Sequence, residues 1–464
     1  MKNLSRRDVL KSVGLTLGGL ALNNPTHANN TNFTDLPIEL TPPPYAPLAK
    51  PVTAITLGAG NRGNVYGGFS LAYAQELDII GVAEPVQIRR ERYEKKHNID
   101  PKNSFKTWED VFLSPKIADA VIISMPDNLH YNACMKALEA GYHVLLEKPI
   151  AQTEQECRNI LAQAKKYKKI VAVCHVLRYA PYFIKLKQLI NTGAIGQLMS
   201  IQHLEPISHI HMAHSYVRGN WHNSKATTPI ILAKSCHDLD ILRWLVGKPA
   251  KSISAMGNLK WFTPQNAPAG SAEWCMNCTV QNDCPYAAPK IYKVGGRWNH
   301  VLDLPEDPNE HAQTIALRLK TTNYGRCVYQ MDNDQCDHYV ANIEFEGGVT
   351  AAFSMEAFTD YEGRRTRVMG SSGSIVGDMS AFTHTDFLTG KVTNYEAQTF
   401  ADADFAAYGH GGGDFGLARD WVRAIAAENP ALLTSTIDMS IESHIMGFAA
   451  EKSRLNKTVE TVKV

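Results

Sequence analysis

Short apolar segments alternate with amphipathic segments through the first part of the chain. TAITLGAG begins at Thr53, and LDIIGVAEP, DAVIISMP, YHVLLEKP and IVAVCH follow it in that order. The segments between them repeat their apolar positions about every 3.6 residues, as helices do; ACMKALEAG and ECRNILAQAKKY are examples. Short buried strands that alternate with helices predict an α/β domain with a doubly wound parallel sheet over residues 52–175.

The second part of the chain has a different pattern, in which apolar and polar residues alternate. This pattern, typical of strands with one buried face, is present in LMSIQHLEPIS, KSISAMGNL, DHYVANIEFEGGVTAAFSMEAF and RTRVMGSSGSIVGDM. Gly347-Gly348 lies between two such runs and predicts a hairpin. We therefore predict an α+β domain with a largely antiparallel sheet over residues 176–464, with an insertion at about 258–300. The two helices predicted near the C-terminus are expected to pack against this sheet.

The first 28 residues have the organisation of an export signal. Arg6 and Arg7 precede a short apolar run and a small-residue cleavage site. The paired arginines resemble the twin-arginine signal, so we expect the twin-arginine export machinery to carry the folded protein to the periplasm. Residues 29–51 are polar and then proline-rich, which predicts an extended arm or linker.

The composition agrees with two globular domains after this leader. The chain has 464 residues, of which 44% are hydrophobic and 20% charged, enough for a sizeable core in each domain. A formal net charge of +1 provides no basic excess for a phosphate backbone, so nucleic acid is not an expected partner. Past the leader, no apolar run has the length of a membrane-spanning helix, and no stable membrane span is expected after processing.

Three glycines directly follow the first predicted strand. Gly58, Gly60 and Gly63 have the spacing G-x-G-x-x-G, and Asn61 and Arg62 begin the next helical segment. Glycines at these positions permit a tight turn in which backbone N–H groups approach a pyrophosphate, and the helix N-terminus adds partial positive charge. We assign these five residues to dinucleotide binding in a Rossmann domain. A tight turn without a ligand is the alternative.

An acidic residue at the end of the second strand bears on which dinucleotide is bound. Glu84 stands where a carboxylate holds the ribose hydroxyls, and it would repel a 2′-phosphate. NAD is therefore favoured as the cofactor. Arg89 and Arg90 follow closely and leave NADP open.

Motifs at the ends of the later strands are more specific. MPDNLH starts at Met125, EKP at Glu147 and HVLRY at His175, and the next helix ends in GAIG at Gly193. In this order they resemble the glucose–fructose oxidoreductase, inositol dehydrogenase and rhizopine catabolism family (Gfo/Idh/MocA), over most of residues 53–455. The further residues that the resemblance gives to the cofactor are Pro126, Asn128, His130, Glu147, Lys148, Arg178 and Trp221.

The resemblance places Lys148 beside the nicotinamide and the substrate hydroxyl, as a catalytic residue. The chemistry agrees, because a lysine after a buried strand and beside a cationic ring has a pKa that falls towards working pH. Such a lysine can relay the proton that a sugar hydroxyl loses as hydride leaves. Taken alone, Lys148 also fits a surface lysine at a strand end.

A second catalytic residue is predicted at His237. SCHDLD, which begins at Ser235, resembles the family segment H-x-x-D, whose histidine faces the substrate. An unperturbed imidazole titrates near neutrality, which suits proton transfer. The family usually has an aspartate four residues before this histidine, and here Ala233 stands there with Lys234 next to it. A structural histidine is the alternative.

Three further residues are assigned to the substrate. Tyr216 lies in a dense polar run between His203 and Arg218, which we interpret as a sugar-binding loop; a metal-binding cluster and a solvated strand edge are the alternatives. Asp240 ends the H-x-x-D segment, and His410 lies in the glycine-rich segment GHGGGD.

Cysteines are concentrated in the predicted insertion. Cys275 and Cys278 have the spacing C-x-x-C, Cys284 follows, and Cys327 is a possible fourth ligand. Four such donors would hold a structural zinc ion or an iron–sulfur cluster. Disulfide bonds in an oxidising compartment are the alternative.

These observations point to a periplasmic NAD(P)-dependent oxidoreductase that acts on a sugar or polyol hydroxyl. The periplasm has no pool of free nicotinamide cofactor, so we expect the cofactor to stay bound and to be recycled internally. The first alternative is a redox-neutral glycoside hydrolase or lyase, similar to NAD-dependent α-N-acetylgalactosaminidases, which share a segment like GHGGGD. A non-catalytic sugar-binding module is the second alternative.

The predicted antiparallel face near 338–358 is where a homodimer or homotetramer would form.

Overall fold

A computed structural model describes residues 46–400, 405 and 409–463. The predicted leader, residues 1–28, and residues 29–45 of the predicted arm lie outside this part of the chain. Strands are labelled β1–β15 and helices of ten residues or more α1–α9. Within the described ranges, no helix has both the length and the apolar character needed to cross a bilayer.

The first domain is built on a parallel sheet of six strands. These are β1 (Val52–Leu57), β2 (Leu77–Ala83), β3 (Ser104–Phe105), β4 (Ala120–Ile123), β5 (His143–Leu146) and β6 (Val171–Val173). The helices between them are α1 (Asn61–Ala72), α2 (Gln87–His97), α3 (His130–Glu139) and α4 (Glu154–Tyr167). The order β3-β2-β1-β4-β5-β6 confirms the doubly wound sheet and opens a crevice at the carboxyl ends of β1 and β4.

Local sequence explains these elements. All four residues of β4, AVII, are buried, because helices cover both faces of a parallel sheet. Helix α4 begins at a capping box in which Thr153 and Glu156 each accept a backbone N–H of the other. It ends at Lys168, which adopts the left-handed conformation with φ of 52°.

The second domain is built on a nine-stranded sheet. Its strands are β7 (Leu198–Pro206), β8 (Ala250–Asn258), β9 (His338–Phe345), β10 (Thr350–Glu356), β11 (Arg365–Gly370), β12 (Gly373–Gly377), β13 (Ala381–Asp386), β14 (Val392–Glu396) and β15 (Val459–Thr461). They are ordered β14-β13-β12-β11-β7-β10-β9-β8-β15. Only β7 and β10 pair in parallel, so the prediction of a largely antiparallel sheet is confirmed.

The predicted hairpin joins β9 and β10. Gly347 and Gly348 have φ of 81° and 83°, values that glycine adopts without steric cost. The chain between β8 and β9 is longer than the predicted insertion and spans residues 259–337. It includes a helix, α7 (His311–Thr321).

The remaining helices are α5 (Pro181–Asn191), α6 (Cys236–Val246), α8 (Gly413–Ala426) and α9 (Ile437–Asn456). Helix α9 packs on β8 and α6, as expected. Helix α8 packs instead against α1 and β1 of the first domain, which corrects the prediction for this helix. The reason is its apolar face, where the fully buried Trp421 joins Tyr66 and Phe69 in one hydrophobic core. The C-terminal part of the chain thus contributes to both domains.

Candidate active site

The turn between β1 and α1 leaves room for an anion. Gly58 has φ of 94°, and a Cβ there would lie 3.0 Å from atoms of Met125. A Cβ on Gly63 would lie 2.2 Å from the carbonyl oxygen of Gly58, whereas a Cβ on Gly60 would meet nothing within 4 Å. Helix α1, which begins at Asn61, has no acidic residue in its first turn and no side-chain cap. Its first N–H groups can therefore receive a pyrophosphate.

Glu84 is buried beside this turn, at the end of β2. Its Oε2 accepts a hydrogen bond from the backbone N of Ala59 at 2.9 Å, and its Oε1 accepts one from the N of Val86 at 2.9 Å. The carboxylate is thereby fixed where an acid meets the adenosine ribose. The open turn, the uncapped helix and this acid fit NAD, which the N–H groups of the turn and Glu84 would hold.

Lys148 lies directly after β5 and is half-buried. Its Nζ donates a hydrogen bond to the carbonyl oxygen of Ala233 at 2.7 Å and lies 5.9 Å from the centre of the Trp221 ring. The lysine and the tryptophan, both assigned from the resemblance, are therefore adjacent. Lys148 belongs to the first domain and Ala233 to the second, so the ammonium group stands between the two domains.

His237 lies in the first turn of α6 and is 7% exposed. Burial lowers the pKa of this imidazole well below its ordinary value, and the charge of Lys148 lowers it further. Its ring centre is 5.9 Å from that of His175 and 6.2 Å from that of His410. Within the described part of the chain its Nδ1 has no hydrogen-bond partner. The lowered pKa keeps the imidazole neutral and makes it a weaker base than a free histidine, while its unpaired nitrogen can form a hydrogen bond with a substrate hydroxyl.

His410 and Asp414 form a pair at the start of α8. The Nδ1 of His410 lies 3.1 Å from the Oδ2 of Asp414, and the His410 side chain is 36% exposed whereas Asp414 is buried. Burial alone would raise the pKa of Asp414, but the charge of Arg62 and the hydrogen bond from His410 hold that pKa well below its usual range. The carboxylate is thus ionised and orients the imidazole beside His237.

Arg62 contacts protein carboxylates. Its Nε donates to Glu147 Oε1 at 2.6 Å, and its Nη2 donates to Asp414 Oδ1 at 2.7 Å and to the hydroxyl of Tyr66. Burial would raise the pKa of Glu147, yet the charges of Arg62 and Lys148 lower it. Glu147 also accepts a hydrogen bond from the Lys148 backbone N at 3.0 Å. Arg62 and Glu147 therefore fix the segment that presents Lys148, and their assignment as direct cofactor contacts stays a prediction.

Two family models match the chain. The oxidoreductase family model of the NAD-binding Rossmann fold matches residues 53–175, and the model of the C-terminal alpha/beta domain matches residues 187–404. The chain belongs to the Gfo/Idh/MocA oxidoreductase family.

Two curated relatives are similar to part of the chain. An oxidoreductase of Bacillus subtilis (strain 168), YteT, is 26% identical over 55% of this chain and 59% of that protein. The inositol 2-dehydrogenase of Salmonella typhimurium is 25% identical over 38% of this chain and 49% of that protein.

Solved structures share the fold. An inositol dehydrogenase homolog from Azotobacter vinelandii, complexed with NAD+, has a TM-score of 0.65 at 15% identity and covers 89% of this chain and 98% of its own. A levoglucosan dehydrogenase in complex with NADH and levoglucosan has a TM-score of 0.64 at 17% identity, with 89% and 100% covered. The chain spans 49% of the Salmonella typhimurium inositol 2-dehydrogenase and 59% of YteT, so it matches only about half to three fifths of the length of these curated relatives.

The family motif MPDNLH lies at the same crevice. Pro126 and Asn128 are exposed at the carboxyl end of β4, beside the glycine turn. His130 is buried, with Nδ1 2.7 Å from the carbonyl oxygen of Pro149 and Nε2 3.0 Å from that of Met125. His130 therefore links this motif to the EKP segment, while the two exposed residues are accessible to a ligand.

Arg178 and Asp240 bind each other. The Nε and Nη2 of Arg178 donate to the two oxygens of Asp240 at 2.7 and 2.6 Å, and both side chains are buried. From the sequence, Arg178 is predicted to contact the cofactor and Asp240 the substrate. Since each carboxylate oxygen already accepts from the guanidinium, this geometry supports a structural ion pair, and neither ligand assignment gains support.

The polar run between His203 and Arg218 is largely buried, which excludes the solvated strand edge. His203 contacts Asp238, and His214 Nδ1 lies 2.7 Å from the Tyr292 hydroxyl. Tyr216 is buried with its ring centre 6.3 Å from that of Trp221, and burial, helped by the charge of Glu205, raises the pKa of its hydroxyl. Tyr216 is therefore a neutral hydrogen-bonding group next to the lysine site.

A buried network of charged side chains, not predicted from the sequence, lies behind His237. Arg364 donates from Nε to Asp238 Oδ1 at 2.8 Å, and its Nη2 forms an ion pair with Glu205 Oε2 at 2.6 Å. Lys234 pairs with Glu205 Oε1 at 3.3 Å. Arg364 begins the segment RRTRV, and nothing local distinguishes it from a surface arginine. Its partners are brought to it only by the packing of β7 and α6.

The four cysteines of the predicted cluster lie together, but their arrangement does not match a metal site. Cys275, Cys278, Cys284 and Cys327 line one small cavity, together with Arg218. The Nη2 of Arg218 lies 3.5 Å from Cys275 Sγ, and burial raises the pKa of the Cys284 and Cys327 thiols. The positive charge of the Arg218 guanidinium disfavours a cation beside it, and no group of side chains in the described ranges is suited to a metal ion. The prediction of zinc or an iron–sulfur cluster is therefore not supported, and all nine cysteines are free thiols.

Proposed function

We propose that this protein is an oxidoreductase that removes hydride from a hydroxyl-bearing carbon of a sugar or polyol, with NAD as its preferred cofactor. The observation that carries the proposal is the placement of Lys148 and His237 together, between the domains and beside Trp221. Membership in the family and the fold shared with an inositol dehydrogenase homolog and a levoglucosan dehydrogenase support it.

The bound nicotinamide would accept the hydride of the substrate C–H bond. The hydroxyl proton on the same carbon has to leave as that bond breaks, and the residues that can take it are Lys148 and His237. The unpaired Nδ1 of His237 can form a hydrogen bond with this hydroxyl, which would place the ring to take the proton as the C–H bond breaks. Glu147 and Arg62 hold the Lys148 segment in place, and Tyr216 can donate a hydrogen bond to a second hydroxyl.

We propose further that the cofactor stays bound and is reoxidised in place by a second carbonyl substrate, and that the protein works in the periplasm. The support is the twin-arginine-like leader, since a protein exported in the folded state can carry its dinucleotide with it.

The test is to denature the purified protein and to quantify the released dinucleotide by liquid chromatography with mass detection. NAD in near-equimolar amount, with a carbonyl product formed from inositols or aldoses, is the expected result. If no dinucleotide is released and none binds on addition, the proposal fails and the sugar-binding module is favoured instead.

A second candidate function, redox-neutral cleavage of a glycosidic bond, is favoured by the His410–Asp414 pair. Oxidation of one ring carbon would acidify the neighbouring C–H, and elimination then needs a base for that proton and an acid for the leaving group. Addition of water with reprotonation of the neighbouring carbon, and return of the hydride to the oxidised carbon, would complete a redox-neutral hydrolysis. His237 and His410, with ring centres 6.2 Å apart, would supply both groups. Release of the aglycone with deuterium incorporated at the neighbouring carbon in D₂O would select this function over simple oxidation.

We propose that the outer face of the second sheet forms a homodimer or homotetramer. Met256 and Val340, which pair across β8 and β9, are 62% and 48% exposed. Exposed apolar side chains within a broad sheet face, here surrounded by polar residues such as Gln202 and Asn342, are found at subunit interfaces. Light scattering on the eluted protein tests the assembly, and Val340→Asp is expected to shift it to a monomer.

A further inference from the structure

The long connection between β8 and β9 contacts the first domain through Asp303. The Nε of Arg89 donates to Asp303 Oδ1 at 2.6 Å, and its Nη2 donates to Oδ2 at 3.1 Å. The two side chains are 31% and 15% exposed. In this two-point geometry the planar fork of the arginine is occupied by one carboxylate.

Arg89 stands where an arginine selects the phosphorylated cofactor. It lies in the first turn of α2, shortly after Glu84, the acid at the end of β2. In dinucleotide-binding domains an arginine in this neighbourhood accommodates the 2′-phosphate of NADP. Arg90, the other candidate, donates from Nη1 to the carbonyl oxygen of Glu84 at 2.7 Å and lies 3.7 Å from Glu94. Both guanidinium groups are therefore engaged by protein atoms.

Besides the ion pair with Arg89, contacts between the neighbouring residues and α2 hold Asp303 in place. The next residue along, Leu304, accepts a hydrogen bond from Arg92 Nη2 at 2.5 Å through its carbonyl oxygen. Glu306 pairs with Lys95 at 3.6 Å. Asp303 has φ of 50°, a conformation that aspartate tolerates better than most residues. The segment thus follows α2 over several residues and keeps the Asp303 carboxylate at Arg89.

We propose that Asp303 determines cofactor specificity, because it withholds Arg89 from a 2′-phosphate and adds a second carboxylate beside Glu84. This rests on the proposed function, in which the chain binds a dinucleotide. A 2′-phosphate carries about −1.5 to −2 charge at pH 7, so it would meet two carboxylates and no available guanidinium from these two arginines. The ribose hydroxyls of NAD, by contrast, require only the Glu84 carboxylate as a hydrogen-bond acceptor.

The experiment compares the dinucleotides carried by variants of the full chain. Each variant is produced in cells, where both NAD and NADP are present during folding, and the ratio of NADP to NAD released on denaturation is measured. The wild type is expected to carry NAD. Asp303→Ala frees Arg89 for the phosphate and is expected to raise the NADP to NAD ratio about tenfold or more, the gain of one charge-assisted hydrogen bond.

Three further variants isolate the effect. Asp303→Ala combined with Arg89→Ala is expected to return the ratio to the wild-type value, and Glu306→Gln, which loses an exposed ion pair of the same segment, is expected to leave it unchanged. Asp303→Asn keeps the shape of the side chain without its charge; it is expected to shift the ratio in the same direction and replaces Asp303→Ala if that variant does not fold.

The outcomes separate this inference from the proposed function. NAD in every variant with an unchanged ratio would overturn the role of Asp303 and leave the oxidoreductase proposal intact. A raised ratio that persists after Arg89→Ala would also overturn it, since Arg89 would not be the phosphate partner. Absence of any dinucleotide from all variants would overturn the proposed function and this inference together.

Discussion

Lys148 Nζ donates a hydrogen bond to the carbonyl oxygen of Ala233 at 2.7 Å. Ala233 is fully buried and stands where the resemblance to the family leads one to expect an aspartate. A backbone carbonyl can orient the ammonium group but cannot take up a proton at working pH. The titratable groups left to act with Lys148 are therefore histidines, above all His237.

Replacement of Lys148 by alanine is expected to abolish turnover and to leave the dinucleotide bound. Loss of a positioned proton-transfer group lowers kcat by about 10²–10⁴-fold. The contacts expected for the cofactor at Glu84 and the glycine turn are unchanged, so the NAD content should equal that of the wild type. The measurement pairs steady-state kinetics with quantification of released NAD. Lys106→Ala, an exposed lysine of the same domain, is the control, and full activity of Lys148→Ala would refute the assignment.

Substitution by alanine is expected to have different effects at two glycines of the turn: weaker NAD binding at Gly60 and lower stability at Gly63. At Gly60 the backbone is extended, with φ of −75°, and a Cβ meets no protein atom, so Gly60→Ala should fold normally and weaken NAD binding about tenfold. At Gly63 a Cβ would lie 2.2 Å from a backbone oxygen, so Gly63→Ala should lose about 1–3 kcal/mol of stability. Thermal melting and NAD content distinguish the two. Unchanged NAD content in Gly60→Ala would show that the open space does not receive the cofactor.

Removal of Arg62 is expected to destabilise the protein strongly. Arg62→Met leaves the carboxylates of Glu147 and Asp414 buried without their shared cation, which costs about 3–5 kcal/mol. Urea unfolding of the variant measures the loss. Lys136→Met removes an exposed ion pair with Glu139 and should have no measurable effect. Equal stability of the two variants would contradict the structural role of Arg62.

His444 is expected to make folding sensitive to acid. Its Nε2 accepts a hydrogen bond from the Ile150 backbone N at 3.0 Å, which requires an unprotonated nitrogen, and burial lowers its pKa to about 3. The unfolded chain binds a proton near pH 6.5, so this stabilisation is complete above about pH 6.5 and declines by about 1.4 kcal/mol per pH unit as the pH falls towards the folded-state pKa. Unfolding at pH 7 and pH 5 should show a smaller difference for His444→Gln than for the wild type. The same difference in both proteins would exclude His444 as a source of the effect.

Local patterns predicted the elements of both domains because they depend on neighbouring residues. Alternation of buried strands and helices indicated the parallel sheet, and period-two alternation indicated the antiparallel one. The glycine spacing after β1 and the acid at Glu84 also lie within one stretch of chain, and the structure places them side by side. Lys148 was found through its EKP motif, which is equally local.

Local patterns could not predict contacts between side chains that are far apart in the sequence. Whether Asp240 meets a substrate or Arg178, and whether the cysteines meet a metal ion or Arg218, depends on which segments come together. The packing of α8 on the first domain, which brings the His410–Asp414 pair towards Arg62, likewise depends on burial of Trp421. The sequence by itself determined the strands, the helices and the dinucleotide turn, because local periodicity and backbone freedom specify them. Only the tertiary structure decided which charged groups form ion pairs and which remain available for chemistry. Burial removes water from a charged group, so the group is stable only where folding brings an oppositely charged or hydrogen-bonding partner into contact with it.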